Sequence, residues 1–192
     1  MSSDQIILAG MDVASGRKPI TFAVLDGDLH VQSLETWTIS ESLTCLREYE
    51  NILLAISIPP RTPGSYNDFK NQIIQAGFKP YSSKNDQKLF LETNAHDCFY
   101  ALIGQKPLPR RTLEGRLQRS AILYEQGLEI TDPIEVFEEI TRYKLMQGIL
   151  PLENIYSAKE LDALMAAYLA WMAVNRPGQI LLRGEFAVPA EG

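Results

Sequence analysis

The stretch QIILAGMDVASG, Gln5–Gly16, decides the fold of this chain. Every residue from Ile6 to Val13 is apolar or glycine except Asp12. A strand that is apolar on both alternating faces is normally buried on both sides of a sheet, so the stretch predicts a central strand. An unpaired charge in a protein interior is costly. The single carboxylate at the end of this strand therefore requires an explanation.

Two explanations of Asp12 are compatible with the sequence. In the first, Asp12 caps the following loop, where Ala14, Ser15 and Gly16 provide residues typical of turns. In the second, Asp12 is a metal ligand or an acid–base group displayed at the end of a core strand. The rest of the chain has to decide between them.

The composition is that of an ordinary globular protein, with 45% hydrophobic and 22% charged residues. A length of 192 residues predicts one domain. The net charge of −6 disfavours broad attraction to nucleic acid but leaves a local basic groove open. The two cysteines and two histidines have no metal-binding spacing. With no secretory signal or membrane-length apolar run, we expect a cytoplasmic, soluble protein with no membrane contact.

The secondary-structure signals predict an α/β fold. The first strand is followed by two more, joined by the hairpin dipeptide Asp26–Gly27 into an antiparallel meander. A helix N-capped by Ser40 precedes the buried run Asn51–Ile58, which implies a parallel crossover. Lys88–Ala95 adds a fifth strand. We therefore expect a mixed five-stranded sheet, three antiparallel strands and then parallel ones, flanked by helices.

The C-terminal half is mainly helical. One helix is predicted over Leu113–Tyr124 and another from Asp132 to about Met146. Ser157 and Glu160 form a capping box for a long helix that ends near Val174. We expect a single domain, 1–192, with a helical insertion or extension over about 105–156 before the last helix.

Three acids occupy positions where acids are unusual. Asp12 ends a core strand, Glu92 lies inside another, and Asp162 shares a helix face with Met165 and Leu169. If the three converge, their mutual repulsion requires a cation. Mg²⁺ prefers oxygen ligands, and such ions assist phosphodiester hydrolysis. For Asp162, favourable interaction with the helix N-terminus is the structural alternative.

The order of these elements is that of the ribonuclease H-like fold. More narrowly, the chain resembles the domain of unknown function family 429, described as predicted nucleases of that fold. The resemblance rests on motifs spread over nearly the whole chain: GMDVASG (Gly10–Gly16), ISIPP (Ile56–Pro60), ETNAH (Glu92–His96), TLEGRLQR (Thr112–Arg119), DALMAAYLAW (Asp162–Trp171) and FAVP (Phe186–Pro189). It implies that Asp12, Glu92 and Asp162 are catalytic, metal-binding carboxylates for Mg²⁺ or Mn²⁺.

Two positions depart from the family pattern. The family's I-D-I-P motif has Ser57 in place of its aspartate, and its E-x-H-P-E stretch has His96 in place of the second glutamate. A site without these acids would hold metal more weakly. His96 is either a metal ligand or acid–base group, or a hydrogen-bonded residue that opens a short helix.

A basic stretch runs from Lys106 to Arg119. It is either a solvated surface or a surface that binds a phosphate backbone. In the second case Arg111, Arg116 and Arg119 are the candidate substrate-binding residues. The family resemblance implies that Arg116 and Arg119 either face phosphate or have a structural role.

Three functions follow, in descending order. The first is a metal-dependent nuclease or phosphodiesterase of ribonuclease H-like type, with activity weakened by Ser57 and nucleic acid as its partner. The second is a catalytically inactive ribonuclease H-like module that binds nucleic acid or a protein. The third, a nucleotide-binding protein of actin-like ATPase layout, is disfavoured because Asp12 is followed by only one glycine before Arg17.

Overall fold

The computed structural model describes residues 6–13, 19–59, 64–82, 86–139, 142–143, 145–148, 155–183 and 186–190. The strands are β1 (Ile7–Asp12), β2 (Ile20–Leu25), β3 (Val31–Trp37), β4 (Ile52–Ser57), β5 (Lys79–Pro80), β6 (Lys88–Thr93), β7 (Ile180–Arg183) and β8 (Phe186–Pro189). The α-helices are α1 (Ile39–Glu48), α2 (Gly64–Gln75), α3 (Ala95–Ile103), α4 (Leu113–Glu125), α5 (Pro133–Glu139) and α6 (Ala158–Asn175). A 3₁₀ turn (Pro177–Gln179) follows α6.

The described strands form one mixed sheet in the order β3-β2-β1-β4-β6-β8-β7, with β5 paired to β6. β1, β2 and β3 are antiparallel, whereas β1, β4 and β6 are parallel. The predicted mixed sheet with flanking helices is confirmed. The predicted count of five is wrong, since the sheet has eight strands within the described residues.

The three additional strands are short, which is why sequence patterns missed or merged them. β5 has two residues, one of them a proline. β7 and β8 have four residues each and pair antiparallel. From the sequence alone, residues Ile180 to Val188 are compatible with one last short strand or an extended tail. Strands of this length carry too few alternations to give a periodic signal.

The sheet is buried on both faces. One core joins alternate residues of the central strands to α3, α4 and α6. The other core joins the intervening residues to α1 and α2. Burial of both faces explains why β1, β2 and β4 are continuous apolar runs instead of alternating ones.

Helix α6 lies against the middle of the sheet and is buried all round from Leu161 to Ala173. The predicted capping box is present: the Ser157 hydroxyl accepts from the Glu160 N–H, and the Glu160 carboxylate accepts from the Ser157 N–H. The approach to β1 is close at Gly10. A Cβ built there would lie 2.1 Å from the Ala167 nitrogen and 2.2 Å from the Ala163 oxygen. Gly10 therefore fixes the distance between strand and helix.

Gly10→Ala should lower the free energy of unfolding by about 3 kcal/mol or more, because backbone atoms of α6 must move to admit the methyl group. Urea denaturation followed by circular dichroism measures the change. Gly27→Ala is the matched control, since a Cβ at Gly27 meets nothing within 4 Å. Equal stability of Gly10→Ala and the wild type would contradict the close packing of β1 on α6.

Several predicted boundaries differ from the observed ones. The N-cap of α1 is Thr38, not Ser40, because Thr38 forms a capping box with Glu41. Helix α5 is described from Pro133 to Glu139, residues 142–143 have π-helical conformation, and Met146, the predicted end of the helix, lies in a turn. Residues 14–18 and 60–63, which include the predicted turn after Asp12, lie outside the described residues.

Helices α4 and α5 fall within the segment 105–156, which was predicted to be mainly helical. That this segment is an insertion or extension of a single domain stays a prediction. No helix in the described part of the chain combines the length and hydrophobicity needed to cross a membrane.

Candidate functional site

Three side chains end the parallel strands in one row. Strand register pairs Asp12 of β1 with Ser57 of β4, and Ser57 with Thr93 of β6. All three are buried. Asp12 lies two residues beyond Gly10, which contacts α6, so by strand alternation the row faces α6. Ligands of α/β sheets commonly bind at the carboxyl ends of parallel strands, where this row lies.

Helix α6 places Asp162 beside the row. Asp162 lies in the second turn of α6 and is 5% exposed, as is Asp12. The two acids line the same cleft of about 160 Å³. Its described lining is otherwise formed by Ser57, Ile58, Pro59, Asn94, Ala95, His96, Arg110 and Arg119. The first strand and the last helix thus bring together two of the three predicted acids.

The Arg110 guanidinium is the cation shared by this acid pair. Its Nη2 atom lies 2.8 Å from Asp162 Oδ2 and 4.0 Å from Asp12 Oδ2. Arg110 comes from the loop between α3 and α4, and its side chain is 40% exposed. This residue was not among the predicted site residues. The basic stretch containing it was the available signal, but the sequence does not say which of its arginines points inward.

Burial raises the pKa of both acids. For Asp12, desolvation outweighs the opposing effects of Arg110 and Lys159. For Asp162, desolvation raises the pKa to about 7, with Arg110 and Arg119 opposing it and the Asp12 charge adding to it. The neighbouring basic groups therefore offset only part of the desolvation of the two carboxylates. A proton or a further cation would stabilise the pair.

The raised pKa of Asp162 makes folding stability depend on pH. The folded state favours the neutral acid, so this contribution is complete below the ordinary pKa of 3.8 and lost as pH rises through about 7. Asp162→Asn should therefore gain stability relative to the wild type across this window, by a few kcal/mol at most. Urea denaturation at several pH values measures it, with exposed Asp68→Asn as control. Parallel pH profiles of the wild type and Asp162→Asn would contradict the burial effect.

Arg119 is a second basic residue that lines the cleft. The residue is 1% exposed, and its Nη1 donates to the carbonyl oxygens of Leu108 at 2.9 Å and Gly115 at 3.0 Å. Its guanidinium lies 5.2 Å from the Phe99 ring centre, and its buried Nε has no hydrogen-bond partner. A fixed, buried cation with an unsatisfied N–H is suited to an anionic ligand.

His96 also lines the cleft, in the first turn of α3. Partial burial, aided by Arg119, lowers the pKa of His96, so the imidazole is neutral near pH 7. Asn94 caps α3, its Oδ1 accepting from the N–H groups of His96 and Asp97. His96 therefore lies in the first turn of a short helix and lines the cleft at the same time.

Glu92 is not brought to the acid pair. Adjacent strand residues face opposite sides of a sheet, and Thr93 belongs to the row beneath α6. Glu92 points instead toward α2, where Lys70 Nζ donates to both carboxylate oxygens at 2.9 Å and the Tyr66 hydroxyl also donates. It lines a separate cavity of about 550 Å³. The expected convergence of three carboxylates is therefore limited to two.

The predicted substrate-binding arginines have different environments. Of the three, Arg119 lines the cleft. Arg116 donates to the carbonyl oxygens of Ile155 and Tyr156 and so ties α4 to the segment before α6. Arg111 is exposed and does not line the cleft. Arg110 is the basic residue of this stretch that meets the acids.

The loop that carries Arg110 is held firmly on α4. The Leu108 N–H donates to Gln118 Oε1 at 2.7 Å, and Thr112 caps α4 through the Gly115 N–H. A Cβ at Gly115 would lie 2.0 Å from the Pro109 oxygen, so only glycine permits this approach. These contacts fix the backbone on both sides of Arg110.

The donor set suits one divalent ion more than two. Within the described residues no three histidine, cysteine or acidic side chains are grouped to hold a metal. Two carboxylates with several waters satisfy Mg²⁺ in many phosphate-processing sites. The Ser57 Oγ would be a weak additional metal ligand. It already accepts a hydrogen bond from the Ala95 N–H at 3.3 Å. The residues therefore fit a single, weakly held Mg²⁺ or Mn²⁺.

Comparisons with known proteins add little to this geometry. No family model matches the chain, and no curated protein matches it. The similarity to domain of unknown function family 429 thus remains a resemblance. Among solved structures, the chain is similar to the large terminase nuclease from thermophilic phage G20c, with 15% identity and a TM-score of 0.40, over 87% of this chain and 83% of that one. A likeness this distant carries no weight for function or for individual residues.

Proposed function

We propose that the chain is a divalent-metal-dependent phosphodiester hydrolase of the ribonuclease H-like fold that acts on nucleic acid. Asp12 and Asp162 are its metal-binding catalytic carboxylates. The observation that carries the proposal is the buried acid pair, in which both carboxylates approach one guanidinium atom, at 4.0 and 2.8 Å. Burial nevertheless raises the pKa of both. A divalent ion would neutralise such a pair when both carboxylates are ionised, which supports the proposal.

The sheet topology supports the fold assignment. The acid of the first strand, Asp12, is the last residue of β1, which pairs antiparallel with β2 and parallel with β4. The second acid enters on α6, the last long helix, across the same strand. This is the layout from which the resemblance to the ribonuclease H-like fold was inferred.

A bound Mg²⁺ or Mn²⁺ would lower the pKa of a water and offset negative charge developing on the phosphate. The protein's own residues supply the remaining functions. Arg119, buried and fixed by two carbonyl oxygens, would hold a phosphate oxygen. His96, neutral near pH 7 because burial lowers its pKa, would accept or deliver a proton in the cleft. With Ser57 in place of an acid, we expect slow turnover and a preference for millimolar metal.

The second candidate is a catalytically inactive module of the same fold that binds nucleic acid or a protein. It is favoured by Arg110, which already neutralises part of the acid charge. The inactive module is also favoured because, within the described residues, no three histidine, cysteine or acidic side chains are grouped to hold a metal ion.

Two measurements on the wild type separate these candidates. In the first, labelled single- and double-stranded DNA and RNA oligonucleotides are incubated with Mg²⁺, Mn²⁺ or a chelator. The hydrolase should cleave with metal and not with chelator. In the second, thermal melting should show that metal stabilises the native state. Binding of oligonucleotides that weakens with salt, with no cleavage under any metal, would select the inactive module.

A further inference from the structure

Arg110 is a removable cation, in contrast to Arg119. Within the described residues, its ion-pair partners are Asp162 and Asp12. Its Nε is buried without a hydrogen-bond partner, and its side chain is 40% exposed. The Arg119 guanidinium is instead held by two carbonyl oxygens and lies against Phe99. Arg110 can therefore leave the acids toward solvent without breaking other side-chain hydrogen bonds.

The position of Arg110 is also the position that a metal ion needs. Its Nη2 atom is 2.8 Å from Asp162 Oδ2 and 4.0 Å from Asp12 Oδ2, so the guanidinium lies against both carboxylates. An ion that binds both carboxylates must have its ligand oxygens within about 2.0–2.6 Å. The guanidinium and the ion cannot occupy the same space, and they compete for the same charge.

We propose that Arg110 determines the occupancy of the metal site by competing directly with the divalent ion for Asp12 and Asp162. This inference rests on the proposed function. Without metal, Arg110 stabilises the acid pair. When metal binds, Arg110 swings out of the cleft, while the backbone of its loop stays fixed on α4 by the contacts of Leu108, Pro109 and Thr112.

The test is isothermal titration calorimetry with MgCl₂ and MnCl₂ at constant pH and ionic strength, on the wild type, Arg110→Gln and Arg111→Gln. Arg110→Gln removes the competitor and should tighten the apparent Kd about tenfold. Arg111→Gln is the matched control, because it removes the same charge from the adjacent, exposed position. It should leave the Kd within about twofold of the wild type.

The outcomes are distinct. Tighter binding by Arg110→Gln alone supports the competition. Equal binding by all three proteins, or weaker binding by Arg110→Gln, overturns it and leaves the metal site in place. Equal tightening by both variants overturns it in favour of a general charge effect. No binding by any of the three overturns the metal site and this inference with it.

A second measurement titrates the wild type and uses one variant, Arg110→Lys, only to assign a resonance. The Arg110 Nε–Hε resonance, assigned by its absence from Arg110→Lys, is followed by NMR during titration with Mg²⁺. Displacement from the cleft should move this resonance as metal binds, while that of Arg116 stays in place because Ile155 and Tyr156 hold its guanidinium. An unmoved Arg110 resonance at saturating metal would overturn the competition.

Discussion

Asp12→Asn should reduce metal-dependent phosphodiester hydrolysis by about a hundredfold or more. Asparagine preserves the size of the side chain but removes the charge that holds the ion. The loss should lie in activity and not in folding, since relief of a buried charge favours the folded state. Initial rates on labelled oligonucleotides measure the effect, with circular dichroism as the check on folding. Asp162→Asn should behave in the same way.

The matched control is Glu92→Gln. Glu92 is also a largely buried acid, one residue before the end of a parallel strand, but it faces α2 and pairs with Lys70. This variant should retain most of the activity at a temperature well below its melting point. If Glu92→Gln loses as much activity as Asp12→Asn, the assignment of the site to the cleft beneath α6 is wrong. If Asp12→Asn remains fully active, the acid pair is not catalytic.

Ser57→Asp should raise the affinity for Mg²⁺ or Mn²⁺ about tenfold to a hundredfold. Ser57 is directly paired with Asp12 in the parallel register and lines the same cleft. An aspartate there adds a third carboxylate to the two already present. The affinity for divalent ions, and the number of ions bound, depend on how many charged ligands the site has. Without metal, the variant should be less stable than the wild type because three buried acids repel one another. Metal should then reverse the loss.

Calorimetry gives the affinity, and thermal melting with metal and with chelator gives the change in stability. Ser57→Asn is the control, because it introduces a side chain of the same size without the charge. It should lose the hydroxyl that accepts from the Ala95 N–H but gain no metal affinity. An equal gain for Ser57→Asn and Ser57→Asp would mean that size or a neutral donor, and not charge, limits the site. No gain for Ser57→Asp would place Ser57 outside the ligand sphere.

In the proposed metal site, two residues would limit the occupancy. Ser57 would limit the number of acidic ligands, and Arg110 would compete for the acids that remain. The two effects are expected to be roughly additive only if Arg110 leaves the cleft fully when metal binds, because residues that share partners couple in double-variant cycles. Calorimetry on the double variant Ser57→Asp/Arg110→Gln measures that coupling.

Much of the scaffold was predictable because it depends on local patterns. The apolar run ending at Asp12 indicated a strand buried on both faces, which β1 is. The Ser157–Glu160 pair indicated the start of α6, and its apolar face indicated that Asp162 points inward. These signals arise from capping, periodicity and burial within one element. They do not need knowledge of its neighbours.

Glu92 shows where local patterns stop being sufficient. Its burial was correctly inferred, but its face was not, because the side of a strand residue depends on the register with neighbouring strands. A shift of one residue moves a side chain to the opposite face. Here the pairing of Ser57 with Thr93 puts Glu92 opposite Ile56 and sends it toward α2.

By itself, the sequence determined the central strand, the helix that crosses it and the presence of an acid on each, because hydrophobic periodicity and capping are encoded within short segments. Only the tertiary structure decided which groups meet. Register placed Ser57 beside Asp12 and Thr93 beside Ser57, and it excluded Glu92. The loop packed on α4 through Gly115 brought Arg110, from a run of several arginines, to the acid pair. These meetings depend on long-range contacts between segments far apart in the chain, and no local pattern specifies them.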